Sequence, residues 1–148
     1  MSIVRIEIDT REVTKAIAQL KAYRERKEEE VTEITQKNAI AIKELAQTLV
    51  PVDTYALRES IGVQMAGNDA LIGSDLHYAI YVEMGTGIYA VNGDGRKTPW
   101  VYYYRGNKGP HGWRWTRGQK PQPYMVPAWH SITPAYLSQL KAELGKVR

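Results

Sequence analysis

The 148-residue chain contains no cysteine and no phenylalanine. Without cysteine, disulfides and thiolate metal sites are excluded, and the chain fits a reducing compartment. No run approaches the roughly 18 apolar residues that cross a bilayer. The opening Met1-Ser2-Ile3-Val4-Arg5-Ile6 lacks the long apolar stretch of a secretory signal. A soluble protein made in a cytoplasm, with no membrane partner, is therefore expected. Without Phe, the aromatic content is ten Tyr and four Trp. Their polar handles suit surfaces that are half buried, as interfaces are.

Acid is scarce in the second part of the chain. Residues 1–87 carry 10 Lys/Arg and 14 Asp/Glu, a net of 10 − 14 = −4, whereas residues 88–148 carry 10 and 2, a net of 10 − 2 = +8. Two unlike surfaces of this kind can stack head to tail with further copies, or offer the basic half to nucleic acid or an acidic protein.

The patterning predicts one α+β domain over 1–148. A long N-terminal helical segment and a C-terminal helix pack on a small antiparallel sheet that carries an extended basic aromatic hairpin. Ile3 to Ile8 reads as a short strand, and Asp9-Thr10 as the cap of a helix reaching Leu49. Val13, Ile17 and Leu20 form one apolar stripe; Val31, Ile34, Ile42, Leu45 and Leu49 form another. Arg24 to Glu30 between them is wholly charged, which implies two helices or one helix solvated in its middle, with Arg24–Glu28 and Arg26–Glu30 pairs. Pro51 ends this helix, and Asp53-Thr54 can cap a short helical turn through Ser60. Ile61–Ala66 and Ala70–Ser74 make a hairpin across Gly67-Asn68-Asp69. His77–Met84 suits either helix or strand and stops at Gly85-Thr86-Gly87. Thr98–Arg105 and Gly112–Thr116 form a second hairpin. Pro127 suits the first position of a helix towards Lys146, which Pro134 kinks or restarts after a Thr133 cap.

A catalytic or metal constellation does not emerge. His77, His111 and His130 have no paired ligand spacing, and His77 reads as a partly buried packing or hydrogen-bonding residue. No GxSxG elbow is present, so Gly73-Ser74-Asp75 reads as a turn. Gly85-Thr86-Gly87 lacks the third glycine of a dinucleotide fingerprint and the Lys-Ser/Thr of a phosphate loop. Asp53 and Glu83 could form an acid–base pair. Their structural reading is stronger: Asp53 as a helix cap, and Glu83 on the backbone of the glycine loop or paired with Arg58. No enzyme activity and no cofactor is expected.

The segment 96–120 holds seven Lys/Arg and no acid. These are Arg96, Lys97, Arg105, Lys108, Arg114, Arg117 and Lys120, interleaved with Trp100, Tyr102, Tyr103, Tyr104, Trp113 and Trp115. Three readings stay open. One is a contact interface rich in Trp, Tyr and Arg. Another is a plain hairpin with an aromatic inner face and a basic outer face, Trp113 and Trp115 lying opposite Arg114. The third is a non-specific nucleic-acid surface working by phosphate contact and base stacking.

Three segments in order carry a resemblance. Val50-Pro51-Val52-Asp53-Thr54-Tyr55-Ala56-Leu57-Arg58-Glu59-Ser60-Ile61 resembles the VPVDTGALRxSI motif of a siphophage neck and tail-component family, whose members are described as head–tail connector, head–tail joining or tail-completion proteins. Tyr78-Ala79-Ile80-Tyr81-Val82-Glu83-Met84-Gly85-Thr86-Gly87 is similar to its YAxYVExGTG motif. Gln122-Pro123-Tyr124-Met125-Val126-Pro127-Ala128 is similar to its QPFMxPA motif. The resemblance implies a structural virion protein at the head–tail junction, assembled in the host bacterial cytoplasm. It further implies a homo-oligomeric ring, hexamer or dodecamer, touching neighbouring head-completion and tail proteins, with a basic loop able to meet packaged DNA without sequence specificity. Pro51, Asp53, Thr54, Leu57, Arg58, Tyr78, Glu83, Gly85, Gly87, Pro123, Met125 and Pro127 would then be framework residues. Segment 88–120 is where the family varies, so no role transfers to it. Tyr55 stands where the family has Gly; an ordinary backbone is expected there, with Tyr55 adding contact area.

Overall fold

A computed structural model describes residues 10–53 and 55–146. The predicted strand over 3–8, Asp9 of the predicted cap and Thr54 of the first motif lie outside them. Thr10–Leu49 is one uninterrupted helix, α1, of 40 residues, about 60 Å at ~1.5 Å per residue. Nothing in the charged tract breaks it. Arg24 Nε meets Glu28 at 2.8 Å as the spacing predicted, but Glu30 turns to Lys27 (2.7 Å) and not to Arg26. Further elements follow in the order α2 (Ala56–Ser60), β1 (Gly62–Ala66), β2 (Asp69–Gly73), α3 (Ala79–Met84), a 3-10 turn at Gly87–Tyr89, β3 (Trp100–Tyr104), β4 (Gly112–Thr116) and α4 (Met125–Leu144).

The architecture is α+β, and its β part is two separate antiparallel hairpins. β1 pairs β2 with Gly62 opposite Gly73 and Gln64 opposite Leu71. β3 pairs β4 with Trp100 opposite Thr116 and Tyr102 opposite Arg114. His77–Met84, ambiguous in period, is helical from Ala79. Gly73, read as part of a turn, is the last residue of β2; after it Ser74 Oγ accepts the Leu76 amide (3.1 Å) and meets Ser60 Oγ at 2.6 Å. α4 starts two residues earlier than Pro127 implied. Pro127 therefore sits in the first turn, where its missing N–H has no carbonyl partner to lose. Pro134 neither ends nor restarts α4. Thr133 does not cap a new helix but donates its hydroxyl to the Trp129 carbonyl at 2.6 Å.

One core holds these elements. It joins Ile42, Ala46 and Val50 to Leu57 and Ile61, Ala79, Tyr124 and Ala128. Ala46 and Ala128 have no exposed surface, and their small side chains let α1 and α4 approach closely. Away from the core the two helices continue antiparallel through polar pairs. Thr35 Oγ1 meets Tyr136 Oη at 3.0 Å, and Asn38 Nδ2 donates to Gln139 Oε1 at 2.8 Å. Lys27 Nζ closes the seam on Glu143 Oε1 at 2.6 Å, and Glu143 Oε2 takes Lys146 Nζ at 2.6 Å. α4 ends here, while α1 runs on for more than three turns. On that overhang Val13, Ile17 and Leu20 are exposed, Leu20 by 67%. They stand on the helix side that further along carries Thr35, Asn38, Ile42 and Ala46, because steps of three and four connect them.

The Lys27–Glu143–Lys146 cluster has a pH signature. Bonds from Lys146, then Lys27, hold the Glu143 carboxyl at about 2, well below its ordinary 4.5. Bonds to Glu143, then Glu30, raise the Lys27 ammonium above its ordinary range. A depressed carboxyl contributes stability above its unfolded value and loses it as the pH falls through the folded one. Amide protection over the last two turns of α4, taken relative to the intrinsic exchange rate at each pH, should thus fall as the pH drops from about 4.5 towards 2. In Glu143→Gln that acid dependence should be absent; an unchanged dependence would place its origin elsewhere.

Candidate functional site

The start of α4 poses a local problem. Its first amides need acceptors, yet Tyr124 at the N-cap offers no side-chain bond. The acceptor comes from α3. Glu83, 9% exposed, takes the amides of Tyr124 (2.8 Å) and Met125 (2.9 Å) on Oε2 and that of Val126 (3.0 Å) on Oε1. This replaces the expected partners, Arg58 and the glycine-loop backbone. A carboxylate at a helix N-terminus also meets the positive end of the helix dipole. Tyr124 is buried beside it, and burial, then the Glu83 charge, then Tyr78 hold its phenol above the ordinary range.

The glycine loop after α3 grips the strand that returns from the hairpin. Thr86 N–H donates to the Gln119 carbonyl (2.9 Å) and Ile88 N–H to that of Arg117 (3.0 Å). Gln119 N–H donates to Thr86 Oγ1 (2.9 Å), and Gln122 N–H to the Val82 carbonyl (2.8 Å). Gly85 has φ 75°, and a Cβ there would lie 2.9 Å from the Gln119 carbonyl and the Pro121 ring. Gly87, at φ 60°, backs directly onto the Arg117 carbonyl. Both glycines serve a backbone-to-backbone clamp.

Asp53 does not cap α2. Its Oδ1 accepts the Asn107 amide at 3.1 Å, and its carbonyl accepts Asn107 Nδ2 at 3.0 Å. It thus fastens the tip of the β3–β4 hairpin, 54 residues away in sequence. Asp53 and Glu83 therefore do separate structural work. Tyr55, at the head of α2, has φ 65° and ψ −17° and is 57% exposed. The ordinary backbone expected there is overturned: the position is left-handed, where Gly is at ease and Tyr is strained.

For Trp113, Trp115 and Arg114 the hairpin's faces are the reverse of those in the plain-hairpin reading. Trp113 and Trp115 are the outward pair, 74% and 77% exposed, beside Val101 and Tyr103. Tyr103 and Trp113 meet edge to face at 5.4 Å. Arg114 points inward, its guanidinium 3.8 Å from the Tyr104 ring centroid, and donates to the Pro110 carbonyl at 3.0 Å. Arg105 lies over Tyr103 and Arg96 over Trp100. Lys97 donates to the Gly93 carbonyl at 2.7 Å. Lys108 gives its amide to Tyr104 Oη at 2.7 Å. Arg117 is exposed at the hairpin's base. Between the inner face and segment 51–58 lies a cleft of about 590 Å³, where Arg58, Arg105, Lys108 and Arg114 face Asp53.

Of the framework residues, Leu57 is in the core and Tyr78 and Met125 pack against it. Pro51 is half buried at the cleft and Pro123 is exposed. His77 is exposed, edge to face with Tyr78 at 5.5 Å, in place of the partly buried position expected. Asn107 and Tyr124 have roles that no motif in the sequence assigns. Tyr124 had a usable signal, lying inside the third segment two residues before the expected helix start.

All three motif segments thus meet at one junction. A family model described as "Bacteriophage HK97-gp10, putative tail-component" matches residues 14–85. It spans α1 from Thr14 onward, α2, the first two-stranded sheet and α3, so this part of the chain is similar to that of a phage tail component. No curated protein and no solved structure matches the chain.

Two substitutions test the junction. Glu83→Ala leaves three amides at a buried helix start unsatisfied and should lower the unfolding free energy by about 2–4 kcal/mol in urea titrations. Glu83→Gln, which keeps one acceptor oxygen, should cost less; equal losses would mean that bulk, not acceptance, matters. Tyr55→Gly should raise stability by about 1 kcal/mol by relieving the left-handed strain, and a drop would show that the Tyr55 ring holds the fold.

Proposed function

We propose that this chain is a structural, non-enzymatic subunit of a tailed-phage virion. It sits at the head–tail junction as a ring-forming neck or tail-completion protein. The observation that carries this reading is the junction itself. Leu57, Glu83, Gly85, Gly87 and Tyr124, drawn from three separated segments, are all consumed in holding α3, α4 and the hairpin base together. Motif residues with such work to do define a scaffold. What the scaffold holds out is a rigid hairpin with an exposed aromatic face and a long helix that overruns its partner, and exposed apolar faces mark contact surfaces. The tail-component match supports the virion setting.

A ring, hexamer or dodecamer, would place one element against the next copy and leave others for the neighbouring head-completion and tail proteins. Packaged DNA would meet the basic residues through phosphates alone, without sequence preference. In particles assembled without this gene product, electron microscopy should find unjoined heads and tails or defective tails, with infectivity lost. Normal infectious virions would sink the assignment.

A further inference from the structure

The outer face of the β3–β4 hairpin is an apolar sheet face that stands exposed among the described residues. Val101, Tyr103, Trp113 and Trp115 share one side of the two strands by their register, and all four are exposed. A two-stranded sheet carrying two bare indoles is held rigidly, by the glycine loop at its base and by Asp53 at its tip. A flexible loop would spread such indoles among many contacts; this one presents them in a fixed geometry. The surroundings are basic: segment 96–120 has seven Lys/Arg and no acid.

The opposite character lies on another element of the same molecule. Below its apolar overhang, α1 presents Glu25, Glu28, Glu29 and Glu33 along a groove of about 470 Å³ that Thr32 and Asn68 complete. Lys27 is drawn away from that groove into its bonds with Glu30 and Glu143. Neither α1·β3 nor α1·β4 is among the element pairs that pack substantially within the chain. The hairpin and the acidic side of α1 therefore complement each other in charge without satisfying each other within one molecule.

We propose that the outer face of the hairpin docks on the acidic side of α1 of a second copy, head to tail. Trp113 and Trp115 supply the apolar area, reaching towards Ile17 and Leu20, while Arg117, exposed at the hairpin's base, faces the glutamates. Because the two surfaces differ, every copy keeps one of each available, and the contact propagates until rotation closes it. Desolvated indoles give the contact its strength, and the charges set its polarity and register. The inference rests on the ring reading above and names the surfaces that would make the ring.

The chain has no cysteine, which makes the test clean. One full-length variant carries Trp113→Ala and Trp115→Ala; another carries Glu25→Lys, Glu29→Lys and Glu33→Lys. All of these positions are exposed, and circular dichroism should show both variants folded. In sedimentation velocity each variant alone should self-associate about tenfold more weakly than the wild type, or worse. Mixed together, they should form one-to-one dimers and stop, since only one good contact remains in the pair. In a second arm, Trp115→Cys and Glu29→Cys chains are mixed and oxidised, and should give the mixed disulfide in preference to either homodimer.

Wild-type assembly unaffected by either variant set overturns the contact but leaves a ring built on other surfaces. Preferential Trp115→Cys homodimers overturn it in favour of hairpin-to-hairpin pairing. A wild type monomeric at millimolar concentration overturns it too. So does binding of a DNA oligonucleotide that the Trp variant loses while assembly stays intact, which gives the face to nucleic acid. Virions that are infectious without the gene product would remove the junction role and leave this contact standing.

Discussion

The Glu83 carboxylate is the constraint on which the rest of the architecture depends. A helix that begins inside a protein brings several amides that water cannot reach, and α4 begins with a proline-rich link and a tyrosine, neither of which can accept them. Burying a carboxylate is costly unless its oxygens are fully used, and burying three amides is costly unless they find acceptors. Placing one against the other resolves both. It also fixes the position of α3 against α4, because three short bonds to two oxygens leave little freedom. With α3 set, the chain before Tyr124 must pass the carbonyl of Val82, and the glycine loop must lie along residues 117–119.

The hairpin inherits its rigidity from that arrangement. Two isolated strands are marginal in water; these two are clamped at the base by four backbone-directed bonds, and at the tip by Asp53 on Asn107. Between the clamps the Arg114–Tyr104 stack gives the inner face its filling. A basic side chain thus occupies the side towards the body, because its guanidinium can lie flat on a ring and still reach the Pro110 carbonyl. The indoles, which have no such cleft to fill, are left outside.

Much of this was legible in the residues. The spacing of Val31, Ile34, Ile42 and Leu45, the proline after Val50 and the turn residues at 67–69 define the helix end and the first hairpin through local physics alone, and the structure follows them. What escaped was non-local. That Asp53 would serve Asn107 and Glu83 would serve Tyr124 depends on segments brought together only by folding, so cap rules written for neighbours assigned both carboxylates to the wrong donors. Alternation correctly put Trp113 and Trp115 opposite Arg114, but alternation carries no sign: which face meets the body is decided by what the body offers. Tyr55 is a different case. Local preference opposes its left-handed backbone, and the surrounding structure prevails, with α2 and the Asp53 clasp on either side.

The charged tract of α1 acquires its meaning from where α4 stops. Seven consecutive charged residues, 24–30, cannot face a core, and the helix pair ends within them, at the Lys27–Glu143 bridge. The tract therefore divides α1 into a docked part and a projecting part whose apolar side continues the docked seam and is exposed among the described residues. A helix with an apolar stripe gains little by standing in water, since most helical stability in proteins comes from packing such a stripe. The same holds for a hairpin with two bare indoles. A single copy leaves both faces unpaired, and a contact between unlike faces of successive copies covers both at once. The charge imbalance between the two parts of the chain, −4 before residue 88 and +8 from it onward, sets the direction of that contact. It discourages helix from meeting helix and hairpin from meeting hairpin, which leaves the head-to-tail pairing that a closed ring requires.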